Sequence, residues 1–276
     1  MKKHLLLLVC LLAVFAAGSL ALWLLGSERW SALGLNLFTD TLGIAITVFL
    51  IDKLIQAREQ ARTLPQRLVA FEDVRLLTIR RVGFWYQAYM AAVPGTLPTH
   101  VRDLLSPEAI GRIRAHLDMD SEPNVVPPRT WWSYLPQETV SFQRAAERIL
   151  ERHSTTLDPI AFQAVYTALH ASLDANASTA MLQADQQIGF PRPRILGAYL
   201  CILPEHFTAL LDLVDWLVSE KAALSKVSSS ARLGVIDVEL SGVRPDGTPP
   251  CMIAPAKLAA QLKAQSEYRE RSGQPP

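Results

Sequence analysis

Apolar residues are concentrated at the start of the chain, where two long hydrophobic stretches follow each other closely. The first stretch, Leu5–Gly26, contains no charged residue. At about 1.5 Å per residue, a helix of this length crosses a bilayer core of about 30 Å. The second stretch, Ala32–Ile51, follows after the short link 27–31. We therefore predict two transmembrane helices, at about 5–26 and 32–52, that form a hairpin.

A cleaved signal peptide is the alternative interpretation of the first stretch, because a signal peptide also begins with basic residues such as Lys2 and Lys3. The apolar core of a signal peptide is usually about 7–15 residues long, and a second apolar stretch does not follow it directly. We expect the first helix to stay in the membrane.

Basic residues flank the hairpin on one side. Lys2 and Lys3 precede the first span and several basic residues follow the second, whereas the link holds one arginine beside one glutamate. Because basic residues collect on the cytoplasmic side of a membrane, both termini are predicted to be cytoplasmic. The residues expected to contact lipid headgroups are Lys53, Arg58, Arg62 and Arg67. Aromatic residues do not alternate with them as on a base-stacking surface, so nucleic acid is not an expected partner.

A stripe of polar and small residues follows one face of the second span. Asn36, Asp40, Gly43 and Thr47 are spaced four, three and four residues apart, which places them on one side of a helix. A carboxylate inside a membrane costs at least about 2.5 kcal/mol, so Asp40 should face protein or water. Either the stripe conducts ions or joins several hairpins, or Asp40 lies near the outer headgroups and the stripe gives ordinary helix packing.

The second span resembles that of uncharacterised bacterial inner-membrane proteins with two helices and a C-terminal cytosolic helical domain. The similar residues are 36–37, 43–48 and 51–54, followed by Arg58-Glu59. The resemblance implies the bacterial inner membrane and a cytosolic helical domain, and it implies no activity. Some two-span bacterial proteins are membrane effectors of antiphage modules, although no residue here is diagnostic of them.

After residue 52, apolar residues recur every three or four positions, which predicts helices. Pro65 is expected to kink or restart the helix that continues the second span. Later helices are expected where a proline or a capping residue precedes an apolar stripe. Their predicted starts are 66, 107, 136, 159, 204 and 256. Alternation in Leu233–Leu240 allows at most a short β element near 233–250.

The predicted architecture is therefore mainly α, with a transmembrane hairpin, a helical stalk and a cytosolic helical bundle. The hairpin covers 1–55, the juxtamembrane stalk 56–93, the cytosolic helical domain 94–254, and a C-terminal helix with a flexible tail 255–276. Two aromatic clusters, Phe84–Tyr89 and Trp131–Tyr134, are expected to pack on the core. The bilayer interface for the first cluster and a binding surface for the second are the alternatives.

Composition and motifs indicate no particular reaction. The 276 residues carry 27 basic and 26 acidic side chains, and three scattered cysteines exclude a disulfide framework and a four-cysteine zinc site. The six histidines lack metal-ligand spacing, and the common nucleotide-binding and nucleophile motifs are absent. We expect no metal and no cofactor, and the sequence leaves any catalytic residue unknown.

A row of arginines is the candidate for ligand binding. Arg144, Arg148 and Arg152 follow each other at intervals of four residues on one predicted helix. Such a row can hold a phosphate or a nucleotide, or it can be a solvated face with weak ion pairs.

A second set has residue types suited to acid–base chemistry: Glu205, His206 and Asp212 on one helix. His206 lies off the face that the two acids share.

These patterns predict an integral inner-membrane protein without an evident catalytic motif. It would be a membrane-anchored sensor, scaffold or effector that forms homo-oligomers through its hairpin, and its boldest form is a membrane-perturbing protein like the antiphage two-span effectors. Its partners would be the lipid bilayer, further copies of itself and a protein bound by the cytosolic domain. The alternative is a membrane-tethered enzyme with a site of dispersed residues in the helical domain.

Overall fold

A computed structural model describes residues 2–25, 28–172, 175–199, 202–227, 233–234, 238–243 and 251–273. This part of the chain is mainly helical, as the sequence predicts. Its helices are α1 (Lys2–Leu25), α2 (Glu28–Ala92), α3 (Val101–Leu104), α4 (Pro107–His116), α5 (Trp131–His153), α6 (Pro159–His170), α7 (Ala175–Ile188), α8 (Leu196–Tyr199), α9 (Pro204–Val227) and α10 (Pro255–Ser272).

Strand pairing within the described residues is limited to isolated antiparallel bridges. These bridges join His100 to Glu239, Leu117 to Met252 and Asp118 to Ile195. Residues 235–237 and 244–250 of the predicted β element lie outside the described residues.

Two compact units make up the chain, Met1–Pro65 and Gln66–Pro276. In the first unit, α1 and α2 approach each other closely at Gly34. A Cβ atom at this position would lie 2.5 Å from the backbone nitrogen of Trp23 and 2.8 Å from the carbonyl oxygen of Ser19. Ser31 Oγ also donates a hydrogen bond of 3.0 Å to the Trp23 carbonyl. Glycine at position 34 therefore permits this backbone contact between the helices.

Apolar side chains of the first unit are largely exposed. Val14 is 71 % exposed and Phe49 is 61 % exposed. By length and composition, one helix among the described residues, Trp30–Ala92, could cross a membrane, and only 6 % of its most apolar window is buried. In α1, Leu11–Leu25 is a shorter apolar helical stretch.

The second unit has a conventional hydrophobic core, with residues 66–92 of α2 at its centre. Phe71, Val74 and Trp85 have no exposed surface. The aromatic cluster after Gly83 packs in this core, since the Trp85 ring lies edge-on to Phe207 at 5.1 Å. Trp131 is also fully buried, at the first turn of α5. Both aromatic clusters therefore contribute to the core.

Two prolines do not mark helix boundaries where we expected them to. Pro65 lies inside α2, which continues through it, although the boundary between the two units falls at this residue. Pro136 lies inside α5, which begins five residues earlier at Trp131. A proline in a helix removes one hydrogen bond, and in α5 the burial of Trp131 and Leu135 stabilises the turns around it. Residues 66–92 of α2, predicted as part of a stalk, belong to the second unit, and their buried side chains form part of its core.

Other helix starts agree with the sequence. Ser106 accepts a hydrogen bond from the Ala109 backbone nitrogen and caps α4, and Asp158 caps α6 in the same way through Ile160. The sequence pattern missed α7. The C-terminal helix α10 has no buried residue, but its Lys257 Nζ lies 2.7 Å from Asp118 Oδ2.

Candidate functional site

A cavity of about 230 Å³ lies between α2 and α5 in the second unit. Its apolar lining includes Leu76, Leu77 and Phe84 from α2 and Phe142 and Ile149 from α5. Six charged side chains also line it, and four of them are arginines. The charged residues are Asp73, Arg80, Arg81, Glu138, Arg148 and Arg152.

Arg81 is the most unusual of these residues because its guanidinium group is buried. The residue is 2 % exposed, and its Cζ lies about 5 Å from the ring centres of Phe84 and Phe142. Arg81 Nε donates a 3.1 Å hydrogen bond to His206 Nε2. Its two terminal nitrogens, Nη1 and Nη2, have no hydrogen-bond partner among the described residues. Burial lowers the pKa of Arg81 to about 9, so the group still carries its charge near neutral pH.

His206 of α9 fixes the orientation of this guanidinium. Its Nδ1 lies 2.8 Å from the carbonyl oxygen of Ala168, which can only accept, so Nδ1 carries the proton. Nε2 is then free to accept from Arg81 Nε. Burial, together with the nearby charge of Arg81, lowers the pKa of His206 to about 3. His206 is therefore a neutral hydrogen-bond acceptor that positions Arg81.

Carboxylates neutralise two of the four arginines in the cavity. The guanidinium group of Arg80 donates to both carboxylate oxygens of Glu138, and its Nη2 lies 3.0 Å from Oε1. Arg152 Nη1 lies 3.4 Å from Asp73 Oδ2. Among the described residues, Arg148 makes no salt bridge, and the carboxylate that counteracts the lowered pKa of Arg81 is Glu138, which Arg80 already binds. Positive charge is thus in excess in this cavity.

A groove adjoins the cavity and shares Arg80, Ser141, Ala145 and Arg148 with it. The groove has a volume of about 830 Å³, and Arg144 lines it together with side chains that can form hydrogen bonds. The predicted arginine row thus divides between the two spaces. Arg148 and Arg152 line the cavity, Arg148 also lines the groove, and Arg144 lines the groove alone.

The structure supplies two site residues that the sequence did not reveal as such. These residues are Arg80 and Arg81. No local motif distinguishes them, since the partners of Arg81 lie on other helices. The sequence signal for Arg81 is its place in a series of apolar residues that recur every three or four positions along α2.

The second predicted set does not form one site. Glu205 and Asp212 are exposed and line a shallow groove beside α6, whereas His206 is buried against Arg81 and Ala168. These three side chains therefore do not converge for acid–base chemistry.

The predicted stripe on the second span is exposed in the first unit. Asn36, Asp40, Gly43 and Thr47 all lie on the outside, and the less exposed positions fall on another face, at 34, 38, 41, 45 and 48. Thr47 satisfies its hydroxyl within the helix, through the Gly43 carbonyl at 2.8 Å. The contact between α1 and α2 thus does not use the stripe.

Three of the four basic residues expected at lipid headgroups, Lys53, Arg58 and Arg62, are exposed in the first unit. Arg67 differs, because it belongs to the second unit and its Nη2 lies 2.6 Å from Glu220 Oε1. This ion pair gives Arg67 a structural role within the second unit.

Within the described residues, no group of three or more histidine, cysteine or acidic side chains is arranged to hold a metal ion. Cys251 is buried and its Sγ donates to the Glu122 carbonyl at 3.2 Å, while Cys201 lies outside the described residues. Comparisons with protein-family models, with curated proteins and with solved structures found no match to this chain.

Proposed function

We propose that this protein is a membrane-anchored sensor whose second unit binds a small anion in the arginine-lined cavity. One observation supports this most strongly: Arg81 is buried with two nitrogens that have no partner among the described residues. A buried charge without partners costs several kcal/mol, and a bound anion would offset that cost.

Anchoring is proposed for the first unit. Two transmembrane helices would form a hairpin in the bacterial inner membrane, with both termini and the helical bundle on the cytoplasmic side. The exposed apolar surface of α1 and of the first part of α2 supports this, because such surface is stable in lipid and unfavourable in water. Lys53, Arg58 and Arg62 would contact anionic headgroups.

Assembly into a homo-oligomer is proposed through the stripe Asn36, Asp40, Gly43 and Thr47. Its exposure in the single chain supports this, since a second copy would shield Asp40 from acyl chains. In the boldest version of this proposal, the homo-oligomer permeabilises the membrane. We expect Asp40→Leu to reduce the oligomer mass measured by light scattering in non-ionic detergent. Thr39→Leu, which adds the same side chain beside the stripe, should leave the mass unchanged; unchanged assembly in Asp40→Leu would remove the stripe from the proposal.

Binding can be tested on the full chain in non-ionic detergent. At constant ionic strength, we expect benzoate, phosphate or AMP to raise the thermal unfolding temperature above that in chloride. The matched variants are Arg148→Gln, at the cavity, and Arg112→Gln, an exposed arginine on α4. The effect should weaken only in Arg148→Gln. No stabilisation by any of the anions, or equal loss in both variants, would refute the sensor.

A further inference from the structure

The shape and lining of the cavity indicate which kind of anion it takes. We propose that the cavity binds an organic carboxylate with a compact apolar body, of about the size of benzoate. This inference rests on the proposed function, that the second unit binds an anion, and it names the ligand class for the same cavity.

The free edge of Arg81 favours a carboxylate. His206 occupies Nε, so Nη1 and Nη2 are the donors of Arg81 that have no partner among the described residues. Two adjacent N–H donors in one plane match the two oxygens of a planar carboxylate. One carboxylate would also place one negative charge beside the buried guanidinium of Arg81.

The walls favour an apolar body over a fully hydrated ion. Leu76, Leu77, Phe142 and Ile149 line the cavity and offer no hydrogen bond from their side chains. An inorganic phosphate would lose water where it meets these four side chains, and they would not replace its hydrogen bonds. An apolar group attached to the carboxylate would instead bury its own surface against them, which is favourable.

The size of the cavity limits the apolar body to a single ring or a short chain. An apolar cavity of about 150 Å³ is large enough for benzene. The cavity here is about 230 Å³, which adds room for a carboxylate. Longer parts of a ligand would have to extend into the adjoining groove past Ala145, which lines both spaces.

Arg148 is expected to assist at the mouth of the cavity. It is exposed, it lines both the cavity and the groove, and it makes no salt bridge with a described residue. It can therefore turn towards a bound carboxylate without losing another partner. This differs from Arg80, which Glu138 holds in place.

The experiment compares dissociation constants of benzoate, hexanoate, phosphate and AMP for the full chain in non-ionic detergent, by calorimetric titration. Arg81→Lys tests the central contact directly. Because a change at this buried residue can prevent folding, two further variants carry the test. Arg148→Gln removes the charge at the mouth, and Ala145→Leu reduces the space while it keeps every charge. Arg112→Gln is the control for a lost exposed arginine.

We expect benzoate and hexanoate to bind at least tenfold more tightly than phosphate or AMP. Arg148→Gln should weaken benzoate binding about tenfold, Ala145→Leu should abolish it, and Arg112→Gln should leave it unchanged. Tighter binding of phosphate or AMP would overturn the carboxylate assignment and leave the sensor proposal standing. Carboxylate binding that Ala145→Leu leaves intact would move the ligand out of the cavity and overturn the inference. No binding of any of the four anions would overturn both proposals.

Discussion

The two units of this chain differ in the burial of their apolar side chains. In the first unit Phe49 and Leu54 are 61 % and 62 % exposed, whereas in the second unit Phe71 and Trp85 have no exposed surface. One helix, α2, contributes residues to both units. The proposed membrane anchor would account for this difference. Apolar surface is hidden in water, but in lipid it can remain outside.

The arginines named here differ in the opposite sense, being exposed in the first unit and buried in the second. Arg58 and Arg62 of the first unit are exposed, while Arg81 of the second unit is 2 % exposed among aromatic rings. Burial of this charge lowers the pKa of Arg81, which reflects an unfavourable environment for a cation. Because this core residue is costly to bury and two of its nitrogens lack partners among the described residues, it supports the proposed ligand site.

The largest effect is expected from truncating matched aromatic residues in the two units. Trp85→Ala should lower the free energy of unfolding by about 3–5 kcal/mol, because it leaves a large cavity in a packed core. Phe49→Ala should change it by less than about 0.5 kcal/mol, as exposed positions usually do. Chemical denaturation in non-ionic detergent measures both. Equal losses would mean that Phe49 also lies in a core.

A smaller effect is expected from two glycines of α2 in the first unit. Gly34→Leu should destabilise the contact between α1 and α2 by about 1–3 kcal/mol, because its side chain would collide with the Trp23 backbone. Gly43→Leu is the control, since no atom lies within 4 Å of a Cβ there. Cross-linking between cysteines placed at positions 23 and 31, where a hydrogen bond joins the two helices, would report the contact. Efficient cross-linking in Gly34→Leu would contradict the close approach.

The stability of the second unit should depend on pH because of His206. Burial lowers its folded-state pKa to about 3, whereas the unfolded chain takes up a proton near pH 6.5. Its contribution to stability is therefore present above pH 6.5 and decreases as the pH falls towards 3. When the pH falls from 6.5 to 5.5, the free energy of unfolding of the native protein should decrease by about 1 kcal/mol more than that of His206→Gln.

His116→Gln, which changes an exposed histidine, should follow the native protein over the same pH range. Denaturation midpoints across the range provide the comparison. Parallel curves for the native protein and for His206→Gln would show that this histidine is not buried as a neutral group.

The smallest effect is expected at an exposed ion pair of the second unit. Arg102 Nη2 lies 2.6 Å from Asp215 Oδ2, but both side chains are more than half exposed. Arg102→Ala should cost less than about 1 kcal/mol, because water already solvates both charges. A thermal denaturation series for this variant and Asp215→Ala measures the pair. A loss of several kcal/mol would mean that the exposed arginines contribute to stability as buried groups do.

Local signals predicted the helices well, and contacts between distant residues limited the rest. Ser106 and Asp158 cap helices as their positions suggest, because capping depends on neighbouring residues. Pro136 misled the prediction, since the burial of Trp131 five residues earlier extends α5. The row Arg148 and Arg152 was visible from its spacing. Arg81 was not, because its partner His206 is 125 residues away along the chain.

The most direct test of the proposed membrane anchor compares the solvent that surrounds two apolar positions of similar exposure. Ile46 in the first unit is 52 % exposed and Val218 in the second is 48 % exposed. Nitroxide labels at these positions, in a background without other cysteines and in lipid nanodiscs, report access of oxygen and of a water-soluble nickel complex. We predict that oxygen relaxes the label at 46 more strongly and that the nickel complex relaxes the label at 218 more strongly. Strong relaxation by the nickel complex at both positions would contradict the membrane anchor.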